Sequence, residues 1–125
     1  MMPLGGEALL DEEENMKLLT KALRKKLPCL YETENMPSCK EMMAQVKFFS
    51  PESGWTWYAI EFDGEDIFFG YVEGLEKEFG YFSLKELEEV RGPLGLRIER
   101  DLYFKPTAIR KIREEGEALF NKGEI

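Results

Sequence analysis

Asp63-Gly64 lies between two runs rich in aromatic and β-branched residues, Trp55 to Phe62 (WTWYAIEF) and Asp66 to Val72 (DIFFGYV). This is the strongest short-range hairpin signal a sequence offers, because a two-residue primed turn needs positive φ and the flanking residues favour extended backbone. A chain built around it is committed to an antiparallel sheet. With a two-residue turn, Phe62 faces Glu65, Ile60 faces Ile67, Tyr58 faces Phe69 and Thr56 faces Tyr71, and that face is apolar. The other face pairs Glu61 with Asp66, Ala59 with Phe68, Trp57 with Gly70 and Trp55 with Val72.

The second face is the informative one. A half-exposed antiparallel sheet turns polar side chains to solvent, yet Trp55, Trp57, Phe68 and Val72 stand there. Two readings follow. Helices from the two ends of the chain cover these side chains, with Trp57 lying over Gly70, or Trp55, Trp57 and Phe68 form an open aromatic patch for a partner. At the turn, Glu61, Asp63, Glu65 and Asp66 crowd together, and Glu61 directly opposite Asp66 is repulsive unless something answers it. Three arrangements are open: a solvated tip with splayed side chains, a guanidinium such as that of Arg97 or Arg100 folded over it, or a bound Mg2+ or Ca2+. The spacing matches no EF-hand loop, so no metal and no cofactor is expected. The candidate partner-binding residues are therefore Trp55, Trp57 and Phe68 with Glu61, Asp63, Glu65 and Asp66.

Around the hairpin the chain alternates period. Leu19, Leu23 and Leu27 recur every four residues behind Thr20, a good N-cap, and Pro28 ends the pattern, which predicts a short helix with a basic outer face. Cys29 to Lys40 reads as loop. Met43 to Phe49 reads as one strand and Phe79 to Phe82 as another. Ser83 and Glu86 have the spacing of a capping box, with Leu84, Leu87 and Val90 on the apolar side of the helix it opens. Gly92-Pro93-Leu94-Gly95 is a turn and lacks the spacing of a phosphate cradle. Leu96 to Phe104 is extended or a last strand. Pro106-Thr107 then opens a final helix with Ile109, Ile112, Leu119 and Phe120 inward, weakened at Gly116.

The fold expected is α+β, an antiparallel sheet of four or five strands as a meander or small barrel, with N-terminal and C-terminal helices. Residues 1–15, with five acids and no base, form a flexible acidic tail, and 16–125 form a single domain.

Composition narrows the chemistry. With 17 Lys+Arg against 25 Asp+Glu the net charge is −8, which opposes direct binding to nucleic acid and favours basic partners. Between residues 50 and 90, eleven acids face only Lys77 and Lys85. The chain has no histidine, so Ser/His/Asp and Cys/His nucleophilic chemistry is excluded, along with the commonest zinc ligand. Cys29 and Cys39 lie ten positions apart, outside CxxC spacing, and read as reduced thiols. No signal peptide and no apolar run of membrane-spanning length is present, which predicts a cytoplasmic protein with no membrane partner.

The segment from Val46 to Pro106 (VKFFSPESGWTWYAIEFDGEDIFFGYVEGLEKEFGYFSLKELEEVRGPLGLRIERDLYFKP), with MKLLTKALRKKLPCLYETE from Met16, closely resembles a bacterial family classed as a domain of unknown function; WTWY, EFDGED, GYFSL and VRGPLG carry the likeness. Such proteins occur on plasmids, integrated elements and phages. The resemblance implies an accessory role in bacteria and supplies no catalytic residues. The functional expectation is a small non-enzymatic protein that binds a macromolecule, a basic nucleic-acid-binding protein included, as an acidic inhibitor or DNA mimic. Two alternatives stand beside it. One is a Mg-dependent hydrolase or nuclease built on Glu61, Asp63, Glu65 and Asp66. The other is a single-strand binder that stacks bases on Trp55, Trp57 and Phe68, with Lys17, Lys21, Arg24 and Lys25 on phosphates.

Overall fold

A computed structural model describes residues 17–30 and 42–115. The tail over 1–15, most of the loop after Cys29 including Cys39, and Gly116, Leu119 and Phe120 lie outside the described residues.

The first helix, α1 (Lys21–Lys26), is capped as its sequence dictates: the Thr20 hydroxyl accepts the Leu23 amide at 3.2 Å, and the helix stops at Leu27, before Pro28. The leucines on either side of it, Leu19 and Leu27, are buried. After it, the Pro28 carbonyl accepts the Phe62 amide at 2.9 Å, which ties this end of the chain to the hairpin.

Met43 to Phe49 is two strands and not one. β1 (Met43–Ala44) pairs with a late strand, whereas β2 (Val46–Phe49) pairs with the hairpin. Gln45 separates them, its amide donating to Ala59 at 2.8 Å. The hairpin strands are β3 (Thr56–Phe62) and β4 (Ile67–Glu73), followed by β5 (Lys77–Ser83), α2 (Leu84–Glu89), β6 (Glu99–Arg100) and β7 (Thr107–Ala108). The main sheet has five antiparallel strands in the order β5-β4-β3-β2-β6, a meander through β2 to β5. It is open at both edges and does not close into a barrel. A two-stranded sheet joins β1 to β7. Thr107, read from sequence as a helix opener, belongs to β7, and α3 follows from 109 to 115, where the described residues end. No helix among the described residues is long and apolar enough to cross a membrane.

The hairpin register differs from the two-residue reading. Asp63 to Asp66 form a four-residue loop closed by the Asp63 amide on the Ile67 carbonyl at 2.9 Å, with Gly64 at φ +93°. Phe62 therefore faces Phe68, and a bulge at Ile60 shifts the register, so that Ala59 faces Gly70 and Trp57 faces Val72. Glu61 faces Phe69 and not Asp66, so the predicted repulsion does not arise. The bulge also moves Phe62 onto the same side as Phe68, where the rings lie 4.6 Å apart.

Alternation along the strands then gives two cores. On one face Phe48, Phe68 and Phe62 pack with Leu19 and Leu27, which flank α1, and with Leu84 and Leu87 of α2. On the other, Tyr58, Ile60 and Tyr71 pack with Ile109 and Ile112 of α3. Helices cover both faces of the sheet, and at about 25 cal/mol per Å2 of apolar surface these layers supply the main stabilising term.

Candidate functional site

Trp55 and Trp57 are two residues apart in extended backbone, so both rings fall on the α1/α2 side. They stack at 5.8 Å with an interplanar angle of 30°. Trp57 is half-buried against the core, while Trp55 keeps 37% of its surface exposed. Gly74 makes room for Trp55, since a Cβ there would run into the six-membered ring.

The facing wall is the turn after α2. Gly95 donates to the Gly92 carbonyl at 2.8 Å and adopts φ +85°, Gly92 donates to Leu96 at 3.0 Å, and Arg91 bridges to Arg97. The Glu52 carboxylate fastens this turn beside the tryptophans: its two oxygens accept the amides of Leu94 at 2.5 Å and Leu96 at 2.8 Å. Between the two walls lies a cleft of about 370 Å3 lined chiefly by Trp55, Trp57, Val90, Pro93 and Ile98, with Arg91 at its side. Its chemistry suits one bulky apolar or aromatic side chain. Trp55 also borders a second cavity, of about 570 Å3, shared with Phe49, Thr56, Leu102 and Tyr103.

The remaining sequence candidates separate. Phe68 is fully buried and touches no solvent. Glu61 is 2% exposed. Asp63 turns inward on its own loop: Oδ1 accepts the amides of Asp66 and Glu65, both at 2.7 Å, and of Ile67 at 3.0 Å. Those donors, Asp66 first, hold its carboxyl below the usual range. Asp66 reaches across to α2, accepting the Ser83 hydroxyl at 2.6 Å and the Lys85 amide at 2.8 Å, and these bonds, the Ser83 one first, lower its pKa too. Glu65 is exposed. The guanidinium at the tip is neither that of Arg97 nor that of Arg100. Arg24 supplies it from α1, 5.5 Å over the Phe62 ring and 3.4 Å from the Gly64 carbonyl. Arg97 is held in the turn after α2, and Arg100, in β6, pairs across the sheet with Phe48 of β2. Asp63 and Asp66 thus serve different donors, and among the described residues no group of three or more His, Cys, Asp or Glu is placed to hold a metal ion. Cys29 is exposed.

On the α3 side of the sheet a polar cavity of about 570 Å3 brings Lys47, Tyr58, Glu73, Asp101, Lys105 and Lys111 together. Lys47 lies 3.9 Å from Asp101 and 5.8 Å from the Tyr58 ring centre. Burial first, then the Glu73 carboxylate to which the phenol is hydrogen-bonded, raise the Tyr58 pKa well above its ordinary value. Tyr58 is therefore a donor at neutral pH and not a base. Sequence reasoning singled out neither this group nor Glu52, because their partners are distant along the chain; the Glu52 bonds span 42 and 44 residues, and no local pattern marks them.

The architecture defines a class: a five-stranded antiparallel sheet, a β2–β5 meander with β6 added beside β2, clasped by helices on both faces, with an aromatic cleft where the hairpin base meets the turn after α2. Within that class, the chain belongs to the family of proteins of unknown function designated DUF2958, whose model matches residues 18–112. No curated protein and no solved structure matches it.

Proposed function

We propose that the protein is a non-catalytic binding protein whose Trp55/Trp57 cleft receives an apolar or aromatic side chain from a basic segment of a protein partner. The observation that carries this reading is the cleft itself: two stacked tryptophans, one well exposed, opposite Val90, which is 40% exposed. Aromatic side chains in a small, desolvated pocket are the usual anchors of protein interfaces. Charge supports the second half. The exposed Glu86, Glu88 and Glu89 of α2 lead directly into Val90, so a ligand entering the cleft passes a row of carboxylates. In a cytoplasmic accessory protein of bacteria or their mobile elements, a partner that presents basic residues is suitably a nucleic-acid-binding protein, and occupying its basic site gives an acidic inhibitor or DNA mimic.

The test is capture of partners from bacterial lysate at low and raised salt with the wild type, Trp55→Ala and Val90→Asp, each first shown to fold by circular dichroism. A partner held by the wild type, released by salt and lost with Val90→Asp is the expected result. Retention by both variants sinks the reading. So does quenching of tryptophan fluorescence by a single-stranded oligonucleotide, which would move the cleft to base stacking.

A further inference from the structure

Trp55 stands between two pockets. The cleft of about 370 Å3 and the neighbouring cavity of about 570 Å3 share a wall made by Ser50, Ser53 and Trp55. That wall is a turn held by its own hydrogen bonds, in which the Ser50 amide donates to the Trp55 carbonyl at 3.0 Å and the Trp55 amide to the Ser53 hydroxyl at 3.3 Å. The opposite wall of the cleft is tied down by the two Glu52 oxygens. A ligand that fills both pockets must therefore cross the Trp55 ring, over a surface that is already formed.

Beyond Trp55 the second pocket is bordered by Tyr103, 91% exposed, and Leu102, 65% exposed. The Trp55 indole N–H and the Tyr103 hydroxyl donate to no protein group among the described residues, so each ring offers an apolar face and a spare donor. Of the regular shapes a peptide can take, polyproline II uses both. It has no internal hydrogen bonds, so its carbonyls are available to side-chain donors, and it repeats every three residues, which sets pyrrolidine rings along one side for aromatic-lined pockets. An α-helix keeps its carbonyls to itself, and an added β-strand needs a free sheet edge rather than rings.

Charge supplies the second feature of the ligand. In the larger pocket Lys47 and Arg100 are matched by Glu99 and Asp101. At the other end Glu86, Glu88 and Glu89 lead into Val90, and Arg91 at the cleft turns its guanidinium onto the Glu88 and Val90 carbonyls at 2.8 and 2.9 Å. The excess of carboxylate therefore lies on the α2 side. Given that the Trp55/Trp57 cleft is the protein interface proposed above, we infer that its ligand is a proline-rich segment in the polyproline II conformation. One x-Pro pair lies against Trp57 and Val90, the next lies between Trp55 and Tyr103, and arginine or lysine follows at the α2 end.

Isothermal titration of the full chain with synthetic peptides tests this. The probe is a capped peptide with two consecutive Pro-x-x-Pro repeats beside two arginines, and its control replaces every proline by alanine. The proline peptide should bind at least about tenfold more tightly than the control, because its bound shape is already populated when free. Tyr103→Ala, a change at an exposed side chain outside the cleft, should weaken it about tenfold, and Val90→Asp should abolish binding. Glu88→Lys with Glu89→Lys should weaken the arginine peptide about tenfold and leave an arginine-free version unaffected. Equal affinity for the proline and alanine peptides, or full affinity in Tyr103→Ala or Val90→Asp, would overturn the inference. So would a wild type that binds neither peptide, the result if another part of this chain fills the groove. In any of those cases, a lysate partner still lost with Val90→Asp keeps the cleft as an interface for a different ligand, whereas its retention by both Trp55→Ala and Val90→Asp removes the interface as well.

Discussion

Asp63 and Asp66 show how a residue that reads as surface charge is consumed by the fold. Asp63 accepts three backbone amides in its own loop, which is the work of a helix N-cap residue carried out in a turn. Replacing it by Ala should remove about 1 kcal/mol of stability by analogy with such caps, measured as a fall in the denaturation midpoint at unchanged slope. No change would mean that solvent satisfies those amides equally well. Two glycines that look alike in sequence make a sharper contrast. A Cβ on Gly70 would collide with the Tyr58 carbonyl and press on the Phe82 ring, whereas one on Gly80 meets open space. Gly70→Ala should therefore cost about 2 kcal/mol or more, while Gly80→Ala should be neutral or stabilising by less than about 1 kcal/mol. The same denaturation series decides between them.

Elements were legible in the sequence where a single local mechanism sets them. Thr20 and Ser83 cap the helices they were expected to cap, and the strands β3, β4 and β5 lie where the aromatic runs are. Their pairing was not legible. Asp-Gly announces a turn, but the Asp63 side chain reaching Ile67 makes the loop four residues long, and nothing local announces the bulge at Ile60. The site's two tryptophans stand out because they break the expected alternation, whereas Phe68 breaks it equally and is core. Sequence alone cannot tell an exposed ring from one under a helix whose docking depends on distant leucines. Ser83 illustrates the coupling between elements. Its hydroxyl accepts the Glu86 amide to start α2 and donates to Asp66 to hold the hairpin loop. Ser83→Ala should cost about 1 to 2 kcal/mol by loss of the cap and should also raise the Asp66 pKa toward its ordinary value, seen by NMR titration of that carboxyl. A loss of stability with the Asp66 titration unmoved would show that the two bonds are independent.

At the scale of the whole molecule, Asp63, Asp66 and Tyr58 tie folding to pH at its two extremes. Asp63 and Asp66 have folded pKa values below their unfolded ones, so their contribution is complete above the unfolded carboxylate value of about 4 and is lost as pH falls through the folded values. Tyr58 has the opposite sense. It is an acid whose neutral form the fold favours, so its contribution is intact below about pH 10 and declines above it, as the unfolded phenol ionises while the buried one stays protonated. With no histidine anywhere in the chain, no group has an ordinary value near pH 6.5 to link these two limits. Unfolding free energy from urea titrations should then be level within about 0.5 kcal/mol from pH 5.5 to 8.5, fall on the acid side, and fall again in alkali. Tyr58→Phe should abolish the Tyr58 part of the alkaline decline and leave the acid limb unchanged. The proposed binding has a different dependence, because it rests on the exposed carboxylates of α2 meeting a basic partner, so affinity should fall as salt is raised. A stability step near pH 6.5 in the free protein would break this separation, and would place a titrating acid or thiol in the fold between the two limits.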